Sequence, residues 1–267
     1  MTAEDQIAAD RAAAIFTRRV PPFGGFNLTF LYLEIRRLLR NRRTVILTVV
    51  FPVVFFLLFR SGRRVQHLGG ADFAATTMIG IAVYGAMMAA TSGGAMVSIE
   101  RSLGWSRQLR LTPLRPSAYV AIKLITAMCL GLASVVVVYI AGSFDGVTMA
   151  PSTWVLSGLL AWLGAFVFAS LGLFAGYLLP SENVMQIIGP ILAGFAFLGG
   201  LFVPTNLLPS AIQDVAPYTP TYGVAAIARF PLEGGSFDLT WVLNVVLWTA
   251  AFAIGASLLF RRDTQRT

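Results

Sequence analysis

The sequence predicts an all-α membrane protein with six transmembrane helices, and three observations predict it. Residues of the AVILMFWYC set make up 57% of the 267 positions and charged residues only 12%, about half the ~25% of a soluble domain. Six apolar runs approach or reach the ~20 residues that cross a bilayer core. Arginines sit at the ends of those runs, where charges orient a membrane protein. So few charges cannot clothe a water-facing surface, which excludes a soluble enzyme. The chain is also too short to hold both a helix bundle and a large catalytic domain.

The spans fall at about residues 44–59, 73–97, 117–140, 153–179, 184–203 and 239–260. The first reaches only ~24 Å as a helix and carries Pro52 at its middle. Arg42, Arg43, Arg60 and Arg63 at its ends can snorkel, and the bilayer can thin, so it can still cross. Spans two, four, five and six contain no charged residue. An even count puts both termini on one side. With that side cytoplasmic, the inner segments hold 15 of the 20 basic residues and the outer ones 4, in keeping with the positive-inside rule. Arg60, Arg63 and Arg64 dissent, on the outer side of the first hairpin.

Residues 28–43 come first among the polar elements. At 100° per residue Leu28, Leu31, Tyr32, Ile35, Leu38 and Leu39 share one side, and Glu34, Arg36, Arg37 and Arg40 the other. An amphipathic helix lying along the inner membrane surface fits this pattern, with arginines among anionic headgroups. A plain juxtamembrane anchor fits it too. Between spans two and three, residues 98–116 carry Glu100, Arg101, Arg107, Arg110 and Arg115. At ~2.5–3.5 kcal/mol for each charge at the bilayer centre, this stretch stays out of lipid. It is helix-like to Leu111 and stopped by Pro113 and Pro116. Either it is a solvated loop, or it is a short charged helix longer than a turn needs.

Residues 204–238, after span five, form an outer segment rather than a simple loop. Stretches 207–215 and 221–230 are short and mostly apolar, separated by Pro217 and Pro220. Neither spans alone, at ~14 and ~15 Å, so they lie at the interface or re-enter partway. Such an element gates a pathway or forms a fixed cap. Gly172 and Gly176 make a GxxxG that allows close helix approach, while Gly93–Gly94 and Gly199–Gly200 loosen or kink their helices. Lys123, the only lysine, is expected to snorkel to the surface from its place near a helix end.

Other functions are disfavoured by what the residues lack. The +8 formal charge clusters beside apolar runs instead of forming the interleaved face of a nucleic-acid binder. One cysteine, Cys129, and one histidine, His67, leave no internal disulfide, no cysteine or paired-histidine metal site and little prospect of a catalytic triad. The first 22 residues have no apolar h-region, so no signal peptide is expected.

The order of these elements resembles the permease subunits of type-2 ABC exporters, the ABC-2 family, over about residues 26–262. Residues 1–25 are then a flexible cytoplasmic segment and 263–267 a tail. The most specific piece is Glu100-Arg101-x-x-Gly104-x-x-x-x-Leu109-x-x-Thr112-Pro113-Leu114, which looks like the family's coupling helix, the element that docks into the ATPase. Trp105 departs from the small hydroxyl residue often found after the motif glycine. Phe202-x-Pro204, Leu208-Pro209, Pro217 and Pro220 are similar to the family's re-entrant outer segment, and Ile212 joins them as an outer-gate residue. The amphipathic helix, with Leu31, Ile35, Arg36, Arg37, Leu38 and Arg40, is also a family feature.

The resemblance implies a permease with no catalytic residue and no cofactor of its own. Two copies of a separate ATPase would bind ATP and Mg, and a second permease would complete a homodimer in the bacterial cytoplasmic membrane. Glu100, Arg101, Arg107 and Arg110 are then expected to make cross-subunit contacts. A path lined by spans one, two and five would carry a hydrophobic or amphipathic drug, antibiotic or lipid outward. The single lysine lies in Ile122-Lys123-Leu124, so the chain cannot supply the G-x-x-x-x-G-K-[ST] phosphate loop. An ion-coupled secondary transporter or channel is the alternative, but such proteins use intramembrane acidic groups, and the six runs contain no Asp or Glu. An intramembrane enzyme meets the same objection.

Overall fold

A computed structural model of the chain describes residues 28–42, 46, 50–61, 71–104 and 116–265. Among them the regular structure is entirely helical: α1 (Leu28–Arg40), α2 (Phe51–Ser61), α3 (Ala71–Ser102), α4 (Pro116–Phe144), α5 (Pro151–Leu178), α6 (Val184–Leu198), α7 (Ser210–Val215), α8 (Pro220–Glu233) and α9 (Leu239–Gln265). Four of these, α3, α4, α5 and α9, are long and apolar enough to cross a membrane. They coincide with expected spans two, three, four and six. The other two expected spans correspond to the shorter α2 and α6.

Proline and glycine chemistry sets those shorter helices. Regular α-helix in the first span begins only at Phe51, after π-helical backbone at Ile46 and Val50. Pro52 thus sits in the first turn of α2, where its missing amide donor breaks no bond within that helix, and not mid-helix. α6 stops at Leu198 instead of running to 203. Gly200 takes φ +73°, a conformation that costs most side chains 1–2 kcal/mol. The Gly200 and Leu201 amides then bond back to the carbonyls of Phe197 and Ala196, closing the helix end.

α3 is the mast of the bundle: 83% of its most apolar stretch is buried, against 11% for α9. It packs most extensively on α5 and α4, and also meets α2, α6 and α8. Gly93 and Gly94 lie within its continuous helix and let neighbours approach closely. A Cβ on Gly94 would stand 2.7 Å from the Ala169 carbonyl oxygen, and one on Gly172 of α5 would stand 2.3 Å from that of Thr91. Thr91 also donates from Oγ1 to the Phe168 carbonyl at 3.2 Å. The GxxxG of α5 is therefore half of a two-sided seam, where small residues substitute close dispersion contact for the missing hydrophobic drive.

The outer segment is built of short pieces. A 3-10 turn at Thr205–Leu207 leads to α7, a second at Ala216–Tyr218 leads to α8, and Pro220 opens α8 in its first turn. α8 packs on α5, α9 and α3, burying Thr221, Gly223, Val224, Ala225, Ala228 and Arg229. Thr221 donates to the Phe195 carbonyl of α6. From α9, Asn244 and Trp248 donate to carbonyls of Pro217 and Tyr218. Asp238 caps α9: its carboxylate accepts from the Thr240 amide at 2.8 Å, and that bond holds it below the usual carboxylate range.

The seam makes a steric prediction. Gly172→Ala is expected to destabilise the chain by about 1–3 kcal/mol, because the obstructing atom is backbone and cannot rotate away. Gly189→Ala, where nothing lies within 4 Å, is expected to change stability by less than about 0.5 kcal/mol. Thermal unfolding of both variants in detergent checks the contrast.

Candidate functional site: a buried charge network at the foot of the bundle

The last turns of α3 carry Glu100 and Arg101, and the two side chains leave in different directions. Glu100 is 3% exposed. Its carboxylate accepts from Lys123 Nζ of α4 at 2.5 Å, from Arg37 Nη1 of α1 at 3.2 Å and from the Tyr119 hydroxyl. Lys123, 2% exposed, bonds Glu34 of α1 at 2.7 Å with the same ammonium and lies 5.4 Å from the centroid of the Tyr119 ring. Arg37 also approaches Glu34, at 3.7 Å. Two carboxylates and two cations thus close a charge-balanced cluster around a cavity of about 10 Å³, at the lower limit for one water.

Arg101 turns to α5. Its Nη1 donates to the carbonyls of Gly176 and Tyr177 at 3.2 and 2.8 Å, and its guanidinium sits 5.6 Å over the Tyr177 ring. A cation here meets the carbonyl end of α5, where unpaired oxygens and the helix dipole favour it. Gly104 follows at φ +72° with open space where a side chain would be, and its amide bonds to the Arg101 carbonyl. The motif spacing Glu100-Arg101-x-x-Gly104 therefore has a local meaning: two anchoring charges in the last turns, then a left-handed residue that ends the helix.

Several expectations change. Ser98–Ser102 belongs to α3 and not to a separate helix. The Glu100 carboxylate points into the fold, and Arg101 is bonded to α5 of the same chain. Lys123 does not snorkel; it is buried between two carboxylates. Glu34 lies on the packed face of α1 and not among its exposed arginines, because Lys123 waits there. Leu38 is buried beside it, while Leu31 and Ile35 are half-buried and Arg36, Arg37 and Arg40 exposed. Arg107, Leu109, Arg110, Thr112 and Pro113 fall outside the described residues.

At the opposite end, Phe202 forms an aromatic cluster with Phe55 of α2 and Tyr84 of α3, at centroid distances of 5.3 and 4.9 Å. Leu208 and Pro220 are buried, Pro204 and Ile212 half-buried, Pro209 and Pro217 exposed. Sequence reasoning missed Arg229, counted only as an outer-loop charge. It is 7% exposed, and its Nη2 donates to the carbonyls of Gly200 and Leu201 at 2.8 and 3.1 Å. A Cβ on Gly80 would come within 2.7 Å of that nitrogen, so the glycine makes room for it. A lone charge in a short apolar stretch bounded by prolines was the available signal.

The network predicts an asymmetric response to mutation. Lys123→Met leaves two buried carboxylates with only the half-exposed Arg37 between them and is expected to cost about 3–5 kcal/mol. Combining it with Glu34→Gln and Glu100→Gln removes the stranded charge and should restore most of that loss. Unfolding midpoints of the single and triple variants measure the difference.

Comparison with known proteins agrees with this architecture. The family model described as ABC-2 type transporter matches residues 28–230, from the start of α1 into α8. Among curated proteins, the chain is 25% identical over 233 residues to "Putative transport permease YvfS" of Bacillus subtilis (strain 168), covering 86% of this chain and 95% of that one. An all-helical membrane bundle whose α3 ends in the anchored Glu100-Arg101-x-x-Gly104 turn and whose matched region spans most of its length belongs to the ABC-2 type transporter family.

Proposed function

We propose that this permease is the membrane half of an ATP-driven exporter for hydrophobic or amphipathic cargo, with hydrolysis on a separate ATPase chain. The observation that carries the proposal is the anchoring of the foot of α3. Glu100 ties it to α1 and α4, Arg101 ties it to the end of α5, and residues 105–115 follow directly. A displacement applied to that segment by a docked ATPase would reach four helices at once, through groups whose burial makes them stiff. Arg107 and Arg110 are the charges we assign to the ATPase surface, while Glu100 and Arg101 act inside the chain as its receiving end. ATP and Mg belong to the partner, present in two copies, and a second permease completes the path. In this arrangement α2 and α6 cross with the four longer helices, and both termini face the cytoplasm.

Where α2, α3 and the turn after α6 meet, Phe55, Tyr84 and Phe202 offer aromatic faces suited to apolar cargo. The packed outer segment above them is the element we assign to gating. One observation favours an ion-coupled transporter instead: buried carboxylates such as Glu34 and Glu100 are the usual carriers in proton relays. Here both are already neutralised by Lys123 and Arg37, which supports a structural use.

Two measurements test the assignment. Arg107→Glu with Arg110→Glu, reconstituted with the ATPase, is expected to lower transport and transport-stimulated hydrolysis at least about tenfold, the effect of losing ~1.4 kcal/mol of contact, without moving the unfolding midpoint. Transport driven by a proton gradient without ATP would favour the ion-coupled alternative. For the gate, a cysteine at buried Leu208 should label more slowly from outside than one at Leu207, which is 65% exposed. ATP should speed the Leu208 reaction; a constant rate would mark the segment as a fixed cap.

A further inference from the structure

α4 and α5 follow one another in the chain, yet each packs mainly on α3 and much less on the other. Between them lies a groove of about 490 Å³, within the size range of small-ligand sites. Tyr139 of α4 and Trp154 and Trp162 of α5 line it, and no charged residue does. Gly158 keeps its floor low: a Cβ there would stand 3.2 Å from the Tyr139 ring. Val136, 45% exposed, and Val155, 69% exposed, border its open side. The polar atoms nearby are already engaged within the chain. The Tyr139 hydroxyl donates to Ser157 Oγ at 2.9 Å, and Ser157 donates in turn to the Thr153 carbonyl at 2.6 Å. Trp162 Nε1 donates to the Met128 carbonyl at 2.8 Å, and Ser143 Oγ to that of Ile140 at 2.8 Å.

We infer that this groove holds one acyl chain of a phospholipid as a bound component of the permease. Its length argues for that occupant. The α4 wall runs from Leu132 to Ser143, a rise of about 16 Å, or roughly half of a ~30 Å hydrocarbon core. The groove is therefore one leaflet deep. It lies along two helices of membrane-spanning length and ends at Ser143, beside the loop 145–150, where headgroups begin. With the termini cytoplasmic, as proposed above, that leaflet is the outer one. Chemistry argues the same way. A ligand with its own donors and acceptors finds these hydroxyls and the Trp162 indole already paired, and burying unpaired polar groups is costly. A hydrocarbon chain has none to bury, and it restores the dispersion contacts that an unfilled groove forfeits on one side. The occupant also matters to the bundle. α4 is fixed at its foot through Lys123 and α5 through the Arg101 bonds to its last turn. A chain seated between their other halves sets how far the two helices splay.

No ATPase enters the test, so its failure is distinct from failure of the export reading. The full chain is reconstituted with phosphatidylcholine or phosphatidylglycerol, extracted in detergent, washed, and weighed by native mass spectrometry. Each permease is expected to retain one phospholipid, equally with either headgroup, since no charge lines the groove. Val136→Phe with Val155→Phe fills the groove from its open side and should abolish retention without lowering the unfolding midpoint. Val155→Phe alone, at the more exposed position, should weaken it. Val246→Phe, on the exposed face of α9, should leave it unchanged. Full retention in the filled variants, no retained lipid in the unaltered chain, or retention of phosphatidylglycerol alone overturns the inference. A second readout locates the chain. With Trp105, Trp241 and Trp248 replaced by Phe, emission comes from Trp154 and Trp162, and retained lipid with brominated acyl chains should quench it; unquenched emission places the lipid elsewhere and counts against the groove. Efficient disulfide linkage of two copies through Val155→Cys, in a Cys129→Ala background, would put a second permease over the groove and likewise overturn the assignment.

Discussion

A single ammonium group holds the lower part of this protein together. Lys123 projects from α4 into a space with almost no solvent, where a lone charge would cost several kcal/mol even after relaxation. What makes the position tenable is the arrival of Glu34 from α1 and Glu100 from α3, each within hydrogen-bonding distance, with Arg37 balancing the second carboxylate. Attraction among these groups is strong because the surroundings are dry. For the same reason the cluster specifies geometry: α1, α3 and α4 must meet in one register or a charge is stranded. The inward face of α1, its exposed arginines and the direction taken by Glu100 all follow from that requirement.

Upward from the foot, the chain changes its means of cohesion. Between Phe73 and Ile99 of α3, and along all of α5, there are no charges, and lipid tails compete with side chains for the same contacts, so close approach matters more than apolarity. Gly94 and Gly172 remove the atoms that would keep the two backbones apart, and Thr91 adds a polar bond across the seam. α3 can thus move or resist as a unit from its anchored end to the aromatic cluster at Tyr84, a rigid path between the two regions where function is placed.

The outer segment repeats the lower logic with different groups. Arg229 is buried, and its guanidinium is stabilised by the carbonyls of Gly200 and Leu201 in the turn that follows α6, joining α8 to that turn. From α9, Asn244 and Trp248 donate to the carbonyls of Pro217 and Tyr218. Among the described residues, the buried cations Lys123 and Arg229 are each received by specific oxygens from another part of the fold. Neither is a loose surface charge of the kind that only orients a protein in a membrane.

Sequence alone determined the class: lipid admits only helices and closed barrels, and with 12% charged residues and six continuous apolar runs near spanning length the chain reads as helices, since barrel strands are shorter and alternate and hydrophobic length is a local property. Prolines at helix boundaries were legible too, since φ restrictions act within a few residues, but the stop at Leu198 before Gly200 was not, the expected span running on to 203. The amphipathic character of α1 could be read, but not which part of its circumference would face inward. That depended on Lys123, 89 residues from its partner Glu34, and pairing across such a separation leaves no periodic trace. Only the tertiary structure could decide that Glu100, Arg101, Lys123 and Arg229 are interior groups, because the cost of burying a charge is set by what other helices bring to it.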